Sequence, residues 1–267
     1  MTPGWLAVPR DWLASLGEIG RFCGRTMGLV YSGRVLAFFG ESLRQAGILI
    51  TGSALVIWGL VFILGLSSCG IEAAYLNRSL GAPAYAGVFS AWCDLREVVP
   101  YAFGYMLSAK VGTGIVAELG AMRISDEIDA LEVMGVPPMV FLAATRLLAA
   151  WMVFPFLFLS SVGIAFFASW LAVVKQIGDV SSGGYFLIFW MFQNPPDLLF
   201  SLIKGMCIST AIVLVGCYYG YTASGGPVGV GTATAKSMVL NIVLVHVISM
   251  MGTLVFWGAN PRAPIGG

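Results

Sequence analysis

Long apolar stretches dominate this sequence of 267 residues and restrict its fold more than any other feature. A helix needs about 20 apolar residues to cross a bilayer, and in lipid the backbone must satisfy its own hydrogen bonds. The stretches occupy about 48–66, 98–117, 140–174, 198–221 and 238–257. The second is the least apolar, and its glycines at 104, 112 and 114 predict burial within a helix bundle. The sequence therefore predicts an all-α integral membrane protein with five transmembrane helices.

The overall composition agrees with a protein made for lipid. Only 10% of the residues are charged and 58% are hydrophobic, whereas soluble domains carry about 25% charged residues. The formal net charge of +1 gives no electrostatic reason to expect a nucleic-acid partner.

Residues 1–44 differ from the more apolar remainder, 45–267, and form a separate N-terminal region. Tryptophans and arginines are interleaved there, for example Trp5, Arg10 and Trp12, which is typical of an amphipathic helix lying in the membrane interface. Glycine and serine at positions 28, 32, 33 and 40 predict bends in this region. No single basic cluster precedes an apolar run, so no cleavable signal peptide is expected.

Basic residues predict how the chain is oriented. Arginines at positions 10, 21, 25, 34 and 44 precede the first span. Because cytoplasmic segments are enriched in bases, we expect a cytoplasmic N-terminus and, after five spans, a C-terminus outside. The acidic segment 118–138 and the glycine-rich segment 223–236 then share the cytoplasmic side. The polar segments 67–97 and 175–197 are predicted to be outer loops.

Four charged residues lie within the spans or at their ends: Arg96, Glu97, Lys110 and Lys204. A charge in the bilayer is costly unless it is paired or hydrated, so these residues are candidates for function. Arg96 and Glu97 are adjacent and must point in different directions on a helix. Bases beside an acid near the outer end would suit a substrate with an anionic head and an apolar tail. The alternative for Arg96 and Lys204 is that they only extend to the headgroup level.

Residues typical of catalysis or metal binding are scarce. The five cysteines show no CxxC or CxxH spacing, which argues against metal and redox sites, although Cys69 and Cys93 could form a disulfide in one outer loop. The single histidine, His246, is expected to be hydrogen-bonded within the packing rather than to bind a metal. The run GTATAKS at 231–237 lacks the glycine of a Walker motif. We therefore predict a non-catalytic chain without a bound cofactor, and ATP hydrolysis would need another polypeptide.

The segment 118–138 interrupts two apolar runs with five carboxylates and one base. Its apolar residues recur at helical spacing, Ser125 or Asp126 can cap the N-terminus of a short helix, and Gly135 can cap its C-terminus. A solvated turn and a docking helix for a cytoplasmic protein explain these residues equally well. For 223–236, the alternatives are a flexible turn and a second surface for the same partner.

Several runs resemble the MlaE/YrbE permeases, which are membrane subunits of ABC-type lipid transporters that work with MCE proteins. The runs are AELGAMRISDEIDALEVMG at 117–135 with TR at 145–146, LREVVP at 95–100, SAKVGTGIVAELG at 108–120 and CYYGYTASGGPVGVG at 217–231. The resemblance extends over nearly the whole chain from about residue 45 and looks closest to the B member of the paired actinobacterial YrbE subunits. It implies an interfacial helix, five transmembrane helices and a short cytoplasmic coupling helix.

The resemblance also implies partners and site residues. Two permeases would form a dimer, here a heterodimer with an A-type subunit, over two cytoplasmic ATPases that bind ATP and Mg and under a hexameric MCE assembly. The coupling residues would be Glu118, Arg123, Ser125, Asp126, Glu127, Asp129, Ala130, Leu131, Met134 and Gly135. The residues at the family's lipid pocket would be Arg96, Glu97 and Lys204.

We therefore predict the permease subunit of an ATP-driven lipid transporter in the bacterial plasma membrane. The alternatives are a stand-alone ion-coupled secondary transporter or channel for amphipathic substrates, and a structural anchor for an outer complex. The identity of the lipid and the direction of its transport are not predicted.

Overall fold

Helices account for nearly all of the described part of the chain. The computed structural model describes the backbone of residues 4–259 and the side chains from Ala14 onward. In chain order the helices are α1 (Gly4–Tyr31), α2 (Arg34–Ser79), α3 (86–124), α4 (Glu127–Val133), α5 (Met139–Ile177), α6 (Ser182–Met191), α7 (Pro195–Tyr221) and α8 (Gly226–Trp257). A 3-10 turn opens α2, wider π-helical turns interrupt α2 and α3, and similar π-helical turns form the two ends of α5.

Four of these helices are long and apolar enough to cross a membrane: α2, α5, α7 and α8. Residues 4–259 contain no β-strand, and the predicted all-α membrane fold is confirmed. Helix α3 contains the predicted second span and is less apolar than the other four. Its side chains Phe103, Leu107 and Val116 are fully buried, in agreement with the predicted position inside the bundle.

The two segments predicted to be outer loops, 67–97 and 175–197, are largely helical, so that prediction was wrong. Helix α2 continues through the first segment to Ser79, and α6 occupies much of the second. The polar groups that suggested loops have partners within the protein. The Asn77 amide donates to the carbonyl of Ala73 at 2.7 Å, and Ser169 donates to the buried carboxyl of Asp94.

The glycine-rich segment 223–236 is not a flexible turn, because most of it forms the first turns of α8. Gly225 precedes the helix with a φ of +88°, a conformation that glycine adopts without strain. Pro227 lies in the first turn, where its missing N–H leaves no bond unmade.

Helix α1 runs without a break to Tyr31, and the chain turns at Gly33, whose φ is +73°. The bend predicted at positions 32 and 33 is confirmed, whereas those predicted at 28 and 40 are wrong, because both positions lie inside helices. Phe22 packs its ring against Tyr218 and Tyr221 with centroids 5.7 and 5.9 Å apart. Helix α1 is thereby attached to one end of α7, and burial raises the pKa of the Cys23 thiol above its ordinary value. The predicted roles of Trp5, Arg10 and Trp12 concern side chains outside the described ones.

Helix α3 packs closely against α7 and α8 through its glycines. A Cβ atom at Gly104 would lie 2.8 Å from Ile208 and 2.9 Å from Val245. Gly112 opposes Asn241 on α8, and Gly120 opposes Val230. The contacts on α8 move towards its N-terminus as those on α3 move towards its C-terminus, so the two helices are antiparallel. Gly114 faces open space and takes no part in this packing.

Two ends of the bundle can be distinguished. At the α4 end, the rings of Phe38 and Phe141 lie 5.4 Å apart, close to the segment that holds α4. At the opposite end, Trp257 of α8 is hydrogen-bonded to Asp197 of α7 at 2.9 Å. Glu118 and α4 therefore lie at one end, while Arg96, Glu97 and Lys204 lie towards the other.

Candidate functional site

Lys204 lies inside the bundle, where three oxygen atoms hold its ammonium group. The Nζ atom donates to the carbonyl oxygen of Arg96 at 2.7 Å, to Oε2 of Glu97 at 3.1 Å and to Oγ1 of Thr253 at 2.7 Å. The Lys204 side chain is 0% exposed, so it does not extend to the headgroup level and that alternative is wrong for this residue. Thr253 in turn donates to Oε1 of Glu97 at 2.6 Å. This network joins α3, α7 and α8.

Arg96 points away from Glu97, as its adjacent position predicts, and pairs with Asp197. Its Nη2 atom lies 2.6 Å from Oδ2 of Asp197, whose Oδ1 accepts the indole N–H of Trp257 at 2.9 Å. The guanidinium carbon lies 4.3 Å from the ring centre of Trp92 and 5.2 Å from that of Trp257. The buried arginine is therefore stabilised by a carboxylate and two aromatic faces.

The spacing of residues on α7 explains why these groups meet. Asp197, Ser201 and Lys204 recur at i, i+4 and i+7, which places them on one face of the helix. That face contacts the π-helical turn Ser90–Val98 of α3, where Ser201 donates to the carbonyl of Leu95 at 2.5 Å. Helix α7 thus presents an acid, a hydroxyl and a base to one wide turn, a kind of turn that is frequent at functional sites.

Three members of this network, Asp197, Thr253 and Trp257, were not among the predicted site residues. For Asp197 a signal exists, since an acid two helical turns before Lys204 in an apolar span predicts a partner on the same face. For Thr253 and Trp257 no such signal exists, because threonine and tryptophan are ordinary residues near the end of an apolar helix.

An apolar groove opens beside this network. It has a volume of about 370 Å³ and is lined by Val88, Phe89, Trp92, Cys93, Arg96 and Glu97. The Glu97 side chain is 38% exposed, whereas Lys204 behind it is covered. The groove therefore offers an aromatic wall to an alkyl chain and one accessible carboxylate whose charge is balanced by a buried base.

A disulfide lies at the wall of the groove. Cys93 is bonded to Cys69, and their Cα atoms are 5.7 Å apart. The possible pairing of these residues is present in the structure, but it joins the π-helical turns of α2 and α3 instead of two points in a loop. The bond holds α2 against α3 in the turn that carries Arg96 and Glu97.

The single histidine, His246, and Lys110 of α3 lie outside this network. His246 is hydrogen-bonded to Tyr105 and to the carbonyl of Ile242, in line with the predicted packing role. Lys110 is exposed on α3. Among the described residues, no three His, Cys, Asp or Glu side chains are grouped to hold a metal ion.

The acidic residues of 118–138 lie at the α4 end, where two of them form ion pairs within the chain. Glu118 lies 2.7 Å from the buried Arg146, and Asp129 lies 2.6 Å from Arg123. The other acids around α4 are exposed. Two exposed apolar side chains accompany them, since Val133 is 89% and Met134 is 67% exposed.

The surface of α4 can be divided by exposure. Ile128 is 1% exposed and attaches α4 to the bundle, with Leu131 half-buried beside it. The exposed predicted coupling residues are Glu118, Ser125, Asp126, Glu127, Asp129, Ala130, Met134 and Gly135, and Arg123 is half-buried. The structure thus gathers the predicted coupling residues into one mixed acidic and apolar surface.

Of the two caps predicted for α4, only the C-terminal one is present. Asp126 precedes the helix with a φ of +59° and makes no side-chain cap bond, and Ser125 donates instead to Oε1 of Glu127 at 2.9 Å. The predicted N-terminal cap is therefore wrong. Gly135, with a φ of +76°, ends the helix as predicted, because its N–H and that of Val136 bond back to carbonyls in the last turn.

Comparison with known proteins identifies the family. Residues 42–255 match the family model described as Permease MlaE. The chain belongs to the MlaE permease family. The predicted family is confirmed by this match, and the assignment to a B-type actinobacterial member stays a prediction.

Several curated relatives of this MlaE-family chain carry the description 'probable ABC transporter permease protein'. One from Rickettsia prowazekii is 29% identical over 162 residues, which are 61% of this chain and 62% of that protein. One from Synechocystis is 26% identical over 174 residues, 63% of this chain and 64% of the relative. The chloroplastic protein TRIGALACTOSYLDIACYLGLYCEROL 1 of Arabidopsis thaliana is 29% identical over 186 residues, 69% of this chain and 51% of that protein. The chain thus spans between half and two thirds of the length of these relatives.

Proposed function

We propose that this chain is the permease subunit of an ATP-driven lipid transporter. The observation that carries the proposal is Lys204, a base covered inside a membrane bundle and paired with Glu97 at the head of an apolar groove. A charged pair within a transmembrane helix costs free energy, so it is expected mainly where function requires it. The combination suits a substrate with a polar head and an alkyl tail.

The groove accounts for how such a substrate would be held. The tail would lie against Val88, Phe89 and Trp92, and the head would lie beside Glu97, backed by Lys204. A simple ion channel fits less well, because the charges of Lys204, Glu97 and Arg96 are already balanced by neighbours over short distances. A structural anchor would need none of these charges.

ATP hydrolysis would take place on a partner, with α4 as its docking helix. Helix α4 follows α3 after only Ser125 and Asp126, and α3 is the helix that carries Arg96 and Glu97. Between Glu97 and Ile124 the helix extends about 40 Å at 1.5 Å per residue. A displacement of α4 by an ATPase would therefore act on the groove through one helix. ATP and Mg would bind to the partner.

The orientation that this mechanism needs has independent support. The Cys69–Cys93 disulfide lies towards the end opposite to α4, and disulfides persist in oxidising compartments outside the cytoplasm. The arginines of the N-terminal region favour the same arrangement. We infer a cytoplasmic N-terminus and α4, and an outer face that holds Lys204 and Trp257.

The remaining partners follow from the family resemblance and from exposed surface. Helix α8 carries a row of exposed apolar side chains, including Val239, Val243, Met250 and Val255, which a second permease, by resemblance an A-type subunit, would cover. MCE-domain proteins would continue the lipid path outside. The name of the Arabidopsis relative contains that of a glycerolipid, which agrees with an amphipathic substrate class.

Affinity purification in mild detergent tests the proposal, with the co-purifying proteins and lipids identified by mass spectrometry. We expect an ABC-type ATPase, a second permease, MCE-domain proteins and bound lipid. Recovery of the chain without any ATPase or MCE-domain protein would refute the proposal, and transport that follows an ion gradient without nucleotide would favour the secondary transporter.

A further inference from the structure

Two tyrosines extend the polar face of α3 beyond Glu97 towards the middle of the membrane. Glu97, Tyr101 and Tyr105 follow one another at intervals of four residues, which places them on one side of the helix. The ring of Tyr101 lies 5.8 Å from Nζ of Lys204 and 6.0 Å from the ring of Tyr105. The network around Lys204 is therefore continuous with a pair of half-buried tyrosines.

His246 of α8 completes this group. Its ring lies 5.5 Å from that of Tyr101 and 5.7 Å from that of Tyr105, and the residue is exposed at the surface of the single chain. From His246 to Thr253, which bonds Lys204, is about 10 Å along α8 at 1.5 Å per residue. From His246 to Trp257 is about 16 Å, roughly half the thickness of a 30 Å hydrocarbon core.

The hydrogen bonds fix the roles of the ring nitrogens. Nδ1 of His246 lies 2.8 Å from the carbonyl oxygen of Ile242, and because a carbonyl only accepts, Nδ1 carries the proton. Nε2 of the neutral ring is then an acceptor, and the Tyr105 hydroxyl donates to it at 3.0 Å. The Tyr105 oxygen keeps its lone pairs free to accept a further hydrogen bond. The Tyr101 hydroxyl makes no hydrogen bond with the described residues and can donate one.

Such a polar surface at mid-membrane depth needs a partner other than lipid tails. The two tyrosines together offer one acceptor and one donor, at a depth where a charged head would be costly. The complementary ligand is a neutral head that carries an O–H group beside an acceptor oxygen.

We propose that Tyr101, Tyr105 and His246 form a second binding site for the lipid head, which begins at the Tyr101 ring 5.8 Å from Nζ of Lys204 and accepts a protonated carboxyl or an alcohol. The inference rests on the proposed function and narrows its substrate class. A lipid would interact with this site while its head is neutral. A phosphocholine head is permanently charged and has no O–H group that could donate a hydrogen bond to the Tyr105 oxygen.

Photoaffinity labelling of the purified transporter complex tests the proposal. Three probes would carry a diazirine close to the head: a palmitic acid, a diacylglycerol and a phosphatidylcholine. Labelled residues would be mapped by mass spectrometry. We expect the palmitic acid or the diacylglycerol to label 101–106 and 243–250, and the comparison of these two probes tells a carboxyl from an alcohol. Phosphatidylcholine should label these segments far less.

Tyr101→Phe and Tyr105→Phe each remove one hydroxyl from this site, while Tyr75→Phe removes an exposed hydroxyl from α2 and serves as the control. We expect each site variant to lower labelling of 101–106 and 243–250 by about fivefold, the effect of one lost hydrogen bond. Labelling near Phe89 and Trp92 should persist, which also reports that the variant has folded.

Two results would overturn the inference while leaving the proposed function intact. One is labelling near Phe89 and Trp92 with none at 243–250, and the other is labelling at 243–250 that neither tyrosine variant reduces. Equal labelling by phosphatidylcholine would likewise refute the neutral O–H head. If no probe labels the groove near Phe89, the proposed lipid-binding function itself fails.

Discussion

Asp197 accepts hydrogen bonds from Arg96 and Trp257 on its two carboxylate oxygens, at 2.6 and 2.9 Å. One side chain thereby connects the start of α7 with the wide turn of α3 and the end of α8. Asp197 is 1% exposed. Its carboxylate therefore neutralises the buried guanidinium of Arg96 at the point where the three helices meet.

Asp197→Asn should destabilise the protein strongly. The amide can still accept the Trp257 N–H, but Arg96 loses its countercharge, and breaking a buried ion pair typically costs about 3–5 kcal/mol. Asp179→Asn is the matched control, since the Arg78–Asp179 pair is 3.5 Å long and partly exposed and should contribute at most about 1 kcal/mol. Thermal unfolding in detergent measures both, and equal losses in Tm would contradict the prediction.

Lys204→Ala should lower the lipid recovered with the purified protein several-fold and reduce transport to a similar extent. The change removes the base behind Glu97 and leaves that carboxylate unbalanced at the groove. Lys175→Ala is a suitable control, because Lys175 is exposed outside the network. Unchanged lipid content and transport in the Lys204 variant would show that Lys204 contributes to packing and not to lipid binding.

Thiol counting checks the disulfide. Alkylation in denaturant should modify three cysteines, Cys23, Cys207 and Cys217, before reduction and all five after it. Five modified thiols before reduction would show that the bond is absent. Replacement of Cys69 and Cys93 by serine should cost about 3 kcal/mol of stability, visible as a lower Tm, and should loosen the wall of the groove.

Glu127→Arg combined with Asp129→Arg should abolish co-purification of the ATPase. The double change reverses charge on the exposed face of α4 and breaks the Arg123–Asp129 pair. Glu72→Arg alters an exposed acid at the opposite end and should retain the ATPase. Retention of the ATPase and of transport by the double variant would exclude α4 as the docking helix.

Gly104→Ala should lower the stability of the protein, whereas Gly114→Ala should leave it unchanged or raise it. At Gly104 the new Cβ would meet Ile208 at 2.8 Å and Val245 at 2.9 Å, whereas at Gly114 nothing lies within 4 Å. We expect the first change to lower Tm through overpacking. The second should be neutral or stabilising by up to about 1 kcal/mol, because alanine favours the helix. Equal effects would mean that α3 does not pack as described.

The sequence was sufficient to predict the all-α membrane fold and the different directions of the Arg96 and Glu97 side chains. Hydropathy located the spans, and the adjacency of Arg96 and Glu97 predicted that they reach different partners. Hydropathy was misleading between residues 67 and 97, since Asn77 and Asp94 are polar but buried and hydrogen-bonded. A polar residue indicates a loop only if no group nearby in the fold forms a hydrogen bond with it. The linear sequence does not show which groups the fold brings together.

The glycine-rich start of α8 illustrates a second limit. Glycine has low helix propensity, yet contacts such as that between Val230 and Gly120 provide tertiary packing that overrides propensity. The candidate site shows the same limit, because Thr253 and Trp257 join it only through the antiparallel pairing of α8 with α3.

The glycines at 104, 112 and 120 also restrict how α3 and α8 can move. Each fits beneath one side chain or chain segment of α8, at intervals of about 12 Å along α3. A slide of α8 by one turn, about 5.4 Å, would bring those side chains over bulkier positions such as Ser108 and Val116. Gradual sliding is therefore blocked, and if an ATPase displaces α4 as proposed, we expect α3 and α8 to tilt or rotate together as one rigid pair.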